Sequence, residues 1–233
     1  MPDQESVDSQ INHAAALEYW NSVPATPGSM LGDFPSISRI DLQGSKNFLA
    51  KLRHLLPGLT PGKFSQGLDC GAGVGRVTEG LLSQVCEMVD AVEPIAKFTQ
   101  VMKESQLKKD GVIGSIYTCG LEGFTPEKRY DLIWVQWCAG HLTDSQLVDF
   151  TVRSRKSLTE NGLMVFKENL STSITGKDLY DSQDSSVTRT DAKWRQIFEQ
   201  AGMQVVKSEL QKGFPTALNL MPVQFYALRP KNV

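Results

Sequence analysis

The stretch Asp69-Cys70-Gly71-Ala72-Gly73-Val74-Gly75-Arg76 decides the fold of this 233-residue chain. The apolar residues 67–70 predict a strand before the glycines, and residues 74–82 predict a helix after them. Glycines at alternate positions permit a tight turn and leave room for a ligand where a Cβ atom would otherwise stand. A glycine-rich loop between a strand and a helix therefore predicts a nucleotide-type cofactor site.

The acid that ends the next predicted strand supports this site. An acid at the position of Glu93 accepts hydrogen bonds from the two hydroxyls of a ribose. A dinucleotide fold prefers the spacing GxGxxG, whereas Gly71, Gly73 and Gly75 are evenly spaced and Asp69 precedes them. An acid repels a pyrophosphate but attracts the ammonium of a methionine moiety. The pattern therefore favours S-adenosylmethionine (SAM) over a nicotinamide cofactor.

The order of the predicted elements gives the fold class. From about residue 65, short apolar segments alternate with helical patterns, and residues 130–137 have the continuous apolar character of a buried central strand. This alternation predicts an α/β, Rossmann-like fold with a mostly parallel sheet and helices on both faces. The length of the chain fits one domain.

Residues 1–60 differ from the rest of the chain. They contain two helical patterns, one capped by Asn12 and one at about residues 44–56, and we predict an N-terminal helical extension and lid. Residues 61–233 then form the cofactor-binding core. Residues 1–10 are polar and predict disorder. Residues 169–190 are polar and longer than a usual connection, which predicts a functional or mobile segment.

Composition and charge exclude several classes of protein. Hydrophobic residues make up 40% of the chain and charged residues 21%, as in ordinary globular domains. The formal net charge of −2 predicts no general attraction to nucleic acid or to an anionic membrane. No apolar run reaches the ~20 residues that span a bilayer. The four cysteines form no CxxC pair and no signal peptide is visible, so we expect reduced thiols, no metal, and a cytoplasmic or nuclear location.

Four stretches resemble one family, the eukaryotic protein α-N-terminal methyltransferases. They are DCGAGVGRVT at 69–78, IWVQWCAGHL at 133–142, KEN at 167–169 and DSSVTR at 184–189, and the likeness extends over about residues 12–230. The resemblance implies a class I SAM-dependent methyltransferase with a seven-stranded sheet. It implies methylation of the α-amine of proteins that begin Xaa-Pro-Lys after the initiator Met is removed, with S-adenosylhomocysteine (SAH) as product. It also implies that the partners are N-terminal tails such as those of ribosomal proteins.

The resemblance also assigns individual residues. It implies that the cofactor contacts come from the glycine loop and from the ends of the following strands, namely Gly71, Gly73, Arg76, Glu93, Pro94, Ile95, Leu121, Glu122 and Gln136. It implies a substrate side formed by Trp20, Leu31, Trp137, Asn169, Asp181 and Ser186, with His141 and Asp184 as the catalytic pair.

The chemistry gives these residues physical roles. The nucleophile must be a neutral amine, and a protein α-amine has a pKa of ≈ 7.7–8.0, so a group that accepts a proton is needed nearby. His141 and Asp184 both suit this task, and the sequence leaves open how they divide it. Asp181 and Asp184 predict a pocket for a lysine. Trp137 and Leu31 predict an apolar slot for a proline.

Three other functions stay open from the sequence. The first is a SAM-dependent methyltransferase that acts on a small-molecule amine, and the second is a nicotinamide-dependent dehydrogenase. The third is a non-catalytic, methyltransferase-like subunit that binds a partner. We predict that Trp134 and Trp194 belong to the core and that His13 and His54 are structural.

Overall fold

A seven-stranded sheet forms the centre of the protein in a computed structural model, which describes residues 6–32, 34–56, 58–59 and 62–231. A separate hairpin has two further strands. In chain order the strands are β1 (Phe64–Cys70), β2 (Cys86–Val92), β3 (Ile113–Tyr117), β4 (Tyr130–Gln136), β5 (Leu158–Asn169), β6 (Leu179–Asp181), β7 (Ser186–Thr188), β8 (Met203–Leu210) and β9 (Val223–Pro230).

The strand order of the large sheet is β3-β2-β1-β4-β5-β9-β8. The first five strands in that order are parallel, and β9 runs antiparallel to both β5 and β8. The predicted seven-stranded, mostly parallel sheet is therefore confirmed. The carboxyl ends of β1, β2 and β4 meet at one edge, where ligands of open α/β sheets bind.

Helices cover the sheet. Among the described residues, no helix has both the length and the apolar character needed to cross a membrane. The third helix continues a π-helical turn, Thr78–Leu82. The helices are α1 (His13–Ser22), α2 (Ser38–Leu55), α3 (Ser83–Val85), α4 (Ala96–Glu104), α5 (Gln106–Lys109), α6 (Asp144–Lys156) and α7 (Asp191–Gln200).

Two apolar layers lie on opposite faces of the sheet. In β4, Ile133 and Val135 share a buried cluster with α6 and α7, whereas the alternate residues Leu132 and Trp134 share another cluster with α2. This alternation follows from the period of two along a strand. Trp134 is fully buried and Trp194 is 1% exposed, which confirms both as core residues.

The N-terminal part differs from its prediction in two places. Helix α2 begins at Ser38 rather than near residue 44, and Gly44 lies inside it, beside the side chain of Gln211. Residues 7–10 form a 3-10 turn, and the carboxylate of Asp8 accepts a hydrogen bond from the first amide of α6 (2.7 Å). The prediction of disorder is wrong for these residues, and residues 1–5 lie outside the described part.

Candidate functional site

The glycine loop turns the chain sharply after β1. Gly71 has a φ of +66°, and a Cβ atom on it would stand 2.3 Å from the Cβ of Cys138, so no other residue fits. The amides of Gly71 and Ala72 donate to the carbonyl of Val92 at the end of β2 (2.9 and 3.0 Å). These bonds bring the ends of two adjacent strands together beneath the loop.

Asp69 does not face a ligand, although the sequence predicted that its charge would attract the ammonium of a methionine moiety. Its carboxylate is 2% exposed, accepts a hydrogen bond from the hydroxyl of Thr78 (2.5 Å) and does not line the ligand cavity. Burial raises the pKa of Asp69 to about 7, which the bond from Thr78 only partly offsets. The side chain therefore ties the loop to the helical turn behind it instead of facing the ammonium group of a ligand.

Glu93 is the acid that faces the cavity. One of its carboxylate oxygens accepts the amide of Gly73 and the other accepts the amide of Ile95, each at 2.9 Å. These bonds lock the carboxylate in place, and each oxygen keeps a further lone pair for a ligand hydroxyl. Burial raises the pKa of Glu93 above its ordinary value, and the two amide bonds oppose that shift.

A cavity lies between the glycine loop, the end of β2 and the end of β4, and we call it the first cavity. Its lining includes an arginine, two glutamates, and leucine, isoleucine and phenylalanine side chains. A cation for a carboxylate, an acid for a ribose diol and apolar walls for an adenine match the three parts of SAM. All nine predicted cofactor residues line it: Gly71, Gly73, Arg76, Glu93, Pro94, Ile95, Leu121, Glu122 and Gln136.

Asp41 in α2 is a residue of this region that the sequence did not single out. Its carboxylate accepts hydrogen bonds from the guanidinium of Arg76 (2.8 Å) and from the side-chain amide of Gln136 (3.0 and 3.1 Å). The ammonium of Lys167 also donates to it. No local signal could have found Asp41, because it acts across 35 residues on a helix whose start was predicted too late.

A second cavity lies beyond the first, between the N-terminal segment and the hairpin β6–β7. In that hairpin Asp181 pairs with Ser186, so Asp184 lies in the turn between the two strands. The segment predicted to be functional or mobile therefore contains a hairpin that borders this cavity. Its turn is tied to the N-terminal segment, because the amide of Asn12 donates to the hydroxyl of Ser185 (2.7 Å). All eight predicted substrate and catalytic residues line this cavity: Trp20, Leu31, Trp137, His141, Asn169, Asp181, Asp184 and Ser186.

Trp137 lies where the two cavities meet, directly after β4. It has a left-handed backbone, with a φ of +53°, which is uncommon for a residue other than glycine. The carboxylate of Glu168 accepts the amides of Cys138 and Ala139 (3.1 and 3.0 Å) and so holds this turn. Besides Trp137, three residues border both cavities, namely Trp20, Met30 and His141.

His141 forms a hydrogen bond that fixes its tautomer. The indole N–H of Trp20 in α1 donates to Nε2 of His141 (3.1 Å), and an indole nitrogen can only donate. Nε2 is therefore the acceptor and the ring proton of the neutral imidazole is on Nδ1. Burial lowers the pKa of His141, while the charge of Asp184 opposes that shift. The neutral form is thereby favoured.

Unpartnered polar atoms concentrate around the second cavity. Seven buried side-chain polar atoms of the described residues are left without a recorded hydrogen bond, and four of them belong to residues that line this cavity. Such atoms are costly unless a ligand or water satisfies them. The four are Nε1 of Trp137, Nδ1 of His141, Oδ1 of Asp184 and Nε1 of Trp194.

Several lining residues were missed or given another role. His13 borders the first cavity, where its Nε2 lies 3.1 Å from the side-chain oxygen of Gln146, although it was predicted to be only structural. Met30, Ile37 and Phe214 add apolar surface. Isolated apolar residues in irregular segments carry no periodic signal, so the sequence gives no ground for selecting them. Among the described residues, no group of three or more histidine, cysteine or acidic side chains is arranged to hold a metal ion.

Comparisons with known proteins agree with this geometry. The sequence profile of a family described as AdoMet dependent proline di-methyltransferases matches residues 8–229. An alpha N-terminal protein methyltransferase 1 from Drosophila melanogaster is 41% identical, with 92% of this chain and 75% of that protein aligned. One of the same name from Schizosaccharomyces pombe is 39% identical, with 96% and 99% aligned. A protein named N-terminal Xaa-Pro-Lys N-methyltransferase 1 from Xenopus tropicalis is 40% identical, with 87% and 89% aligned.

Solved structures agree as well. A SAM-dependent methyltransferase from Leishmania major superimposes with a TM-score of 0.83 at 37% identity, covering 93% of this chain and 82% of that one. The N-methyltransferase NodS from Bradyrhizobium japonicum, solved with SAH, has a TM-score of 0.61 at 17% identity over 93% and 97% of the two chains, and it supports the fold alone. The profile match and the curated relatives together place this chain in the family of SAM-dependent alpha N-terminal protein methyltransferases.

Proposed function

We propose that this protein transfers methyl groups from SAM to the α-amine of proteins that begin Xaa-Pro-Lys once the initiator Met has been removed. The printed names of the relatives point to this reaction. The observation in this chain that carries it is the second cavity, whose polar atoms lack partners and whose charges are of one sign.

The charge of the second cavity favours a cationic ligand. Asp181, Asp184 and Glu168 line it, whereas the described lining includes no lysine or arginine. An N-terminal peptide with lysine at its third position brings two amines, and acids reject a substrate that leaves them unpaired. We assign the lysine to Asp181 and Asp184.

The walls of the same cavity suit the first two residues of the substrate. Trp137 and the buried Leu31 offer apolar surface to a flat proline ring, which has no N–H to satisfy. Asn169 both donates and accepts, so it suits the backbone of the first residue, and Ser186 adds a hydroxyl beside it. Trp20 and Leu31 belong to residues 1–60, which we propose act as a lid on the cofactor-binding core.

The first cavity is assigned to SAM, which supplies a methyl group on a sulfonium. We propose that Arg76 and Gln136 bind the methionine end and that Glu93 binds the ribose hydroxyls. Leu121 and Glu122 border the adenine, and Gly71 and Gly73 allow close approach of the backbone. Pro94 and Ile95 complete the wall behind Glu93.

Asp184 is the proton acceptor in this assignment. The Nε2 lone pair of His141 is occupied by Trp20, so neutral His141 has no free lone pair in this arrangement. Oδ1 of Asp184 is buried and unpartnered, and it can accept a hydrogen bond or proton from the incoming amine. With SAM bound, the amine lone pair would be free to attack the methyl group that the sulfonium supplies, with SAH as the leaving group. His141 holds Trp20 through Nε2, and a hydrogen bond to the backbone of Ser185 opposes the lowering of its pKa by burial.

We further propose the cellular setting. N-terminal tails of ribosomal proteins have the chemistry that this cavity selects, and a cytoplasmic or nuclear location gives access to them. The four cysteines are free thiols in the structure, which suits a reducing compartment. The proposed reaction requires no metal ion, nucleic acid or membrane.

Mass spectrometry of a Ser-Pro-Lys-Arg peptide incubated with SAM and this protein tests the proposal, with an N-acetylated copy as control. Mass gains in steps of one methyl group on the free peptide alone are expected. Gains on both peptides would move the acceptor to a side chain. No gain on either, with SAH still bound, would favour a small-molecule acceptor or a non-catalytic subunit.

A further inference from the structure

One buried carboxylate in α2 organises the polar floor of the first cavity. Asp41 is fully buried, and its side chain accepts hydrogen bonds from Arg76, Gln136 and Lys167. The ammonium of Lys167 also donates to the backbone carbonyl of Asp41 (2.9 Å) and to the hydroxyl of Ser45 one turn later (3.0 Å). A fully buried ion pair persists only when its remaining donors and acceptors are satisfied, as they are here.

Two of the three partners face the proposed cofactor. Arg76 and Gln136 line the first cavity, whereas Asp41 and Lys167 lie behind them. Gln136 is held at its other end too, because its side-chain oxygen accepts the indole N–H of Trp134 (3.0 Å). The amide of Gln136 therefore has one orientation, with its nitrogen toward Asp41.

The charge count of this cluster leaves room for an anion. Arg76 and Lys167 carry two positive charges against the one carboxylate that both contact, Asp41, while the nearby carboxyl of Asp69 has its pKa raised by burial to about 7. The side chain of Arg76 is 7% exposed and the side chains of Asp41 and Lys167 are fully buried. A carboxylate of a ligand beside Arg76 would balance the second positive charge. The methionine end of SAM has such a carboxylate.

We propose that Asp41 is a positioning residue for the methionine end of SAM, which it acts on by fixing Arg76 and Gln136. This inference rests on the proposed assignment of Arg76 to that end of the cofactor. The role of Asp41 links the N-terminal extension to the cofactor site. Residues just before α2, such as Leu31 and Ile37, line the second cavity, and Asp41 in α2 contacts residues that line the first. A carboxylate on a helix that precedes the first strand thus sets the geometry of a site formed by later elements.

Asp41→Asn tests this role because the side chain keeps its size and loses its charge. Affinity is measured by calorimetry for SAH and for 5′-methylthioadenosine, which has the same adenosine and thioether but lacks the amino acid end. The matched control is Asp90→Asn. Asp90 is equally buried and pairs with Lys128 (2.8 Å) and Tyr130 (2.9 Å), but it does not line either cavity.

We expect Asp41→Asn to weaken SAH binding on the order of tenfold or more, the equivalent of a lost charge-assisted hydrogen bond, and to leave methylthioadenosine binding unchanged. Asp90→Asn should preserve the ratio of the two affinities. Equal weakening of both ligands by Asp41→Asn would reduce Asp41 to a structural residue. Tighter SAH binding would mean that Asp41 only neutralises Arg76. Wild-type protein that fails to prefer SAH over methylthioadenosine would instead overturn the assignment of Arg76.

A measurement on the unaltered protein covers the case in which Asp41→Asn does not fold. Amide hydrogen exchange in residues 41–52 is followed at matched saturation with each ligand. We expect SAH to slow exchange in this part of α2 more than methylthioadenosine does. The same protection by both ligands would contradict a link between Asp41 and the methionine end.

Discussion

Asp184→Asn isolates the proton acceptor of the proposed reaction. Oδ1 of Asp184 is buried and makes no hydrogen bond within the described structure, so in this assignment its partners come from the substrate, namely the α-amine and the lysine that it shares with Asp181. His141 does not replace it, because Trp20 occupies the Nε2 lone pair of His141 at 3.1 Å. General-base groups contribute roughly 10²–10⁴-fold to a rate, so we expect kcat/KM for Ser-Pro-Lys-Arg to fall by at least about 100-fold.

The cofactor side gives the internal control for this variant. Asp184 lines the second cavity and not the first, so SAH affinity measured by calorimetry should stay within about twofold of wild type. Asp178→Asn is the matched variant, since Asp178 lies in the same polar segment and lines neither cavity. Its carboxylate accepts a hydrogen bond from the backbone amide of Thr190 (2.8 Å). This variant should keep most of the activity. A loss of SAH affinity equal to the loss of kcat/KM would refute the acceptor-side role of Asp184, as would full activity of Asp184→Asn.

Three further changes probe other contacts of the site. Glu93→Gln should raise the Kd for SAH ~10- to 100-fold because a charged acceptor of the ribose is lost, and unchanged calorimetry would end the ribose assignment. Since burial raises the pKa of Glu93, wild-type affinity should also fall on acidification before its ordinary pKa is reached, and Glu93→Gln should not show this fall. Trp20→Phe removes the donor to Nε2 of His141 and should raise the pKa of that ring. More of the enzyme then has a charged His141 at pH 6, so the ratio of kcat/KM at pH 6 to that at pH 8 should drop. An unaltered pH profile would count against the Trp20 contact. Asp69 has a folded-state pKa of about 7 against an ordinary value of 3.8, so the folded protein binds the extra proton and the free energy of unfolding falls as pH rises between these values. Asp69→Asn should reduce that slope in urea titrations, while Glu168, whose pKa burial also raises to about 7, keeps its own contribution. A slope unchanged by Asp69→Asn would refute the raised pKa of Asp69.

The core of the fold was predictable because its signals are local. The strand before Gly71, the helical turn after it and the acid Glu93 at the next strand end lie within one short stretch of chain. Period-two and continuous apolar patterns mark the buried strands, as at Tyr130–Gln136. The helix start at Ser38 was missed because Gly44 interrupts the pattern, and the contact of Gly44 with Gln211 joins positions far apart along the chain.

The candidate site shows the same contrast between local signals and long-range contacts. The glycine loop and Glu93 were found from their own pattern. The other residues that line the cavities were found through family resemblance, since spacing alone leaves solvated loop charges as the simpler interpretation of Asp181 and Asp184. The partners that orient them were not found. Asp41 meets Arg76 across 35 positions and Lys167 across 126, and no pattern in one sequence encodes such pairs. Asp69 was assigned to the ligand on charge alone, but its burial and its bond to Thr78 place it behind the loop.

One long-range contact determines which of His141 and Asp184 accepts the proton. Either side chain accepts protons in isolation, so residue type cannot decide between them. The indole of Trp20 decides, because a nitrogen that only donates forces Nε2 of His141 to accept. Trp20 belongs to a helix whose preceding residue, Asn12, is tied to Ser185, next to Asp184. The same N-terminal segment therefore donates to His141 and holds the turn that contains Asp184. We expect its displacement to change both candidate proton acceptors together.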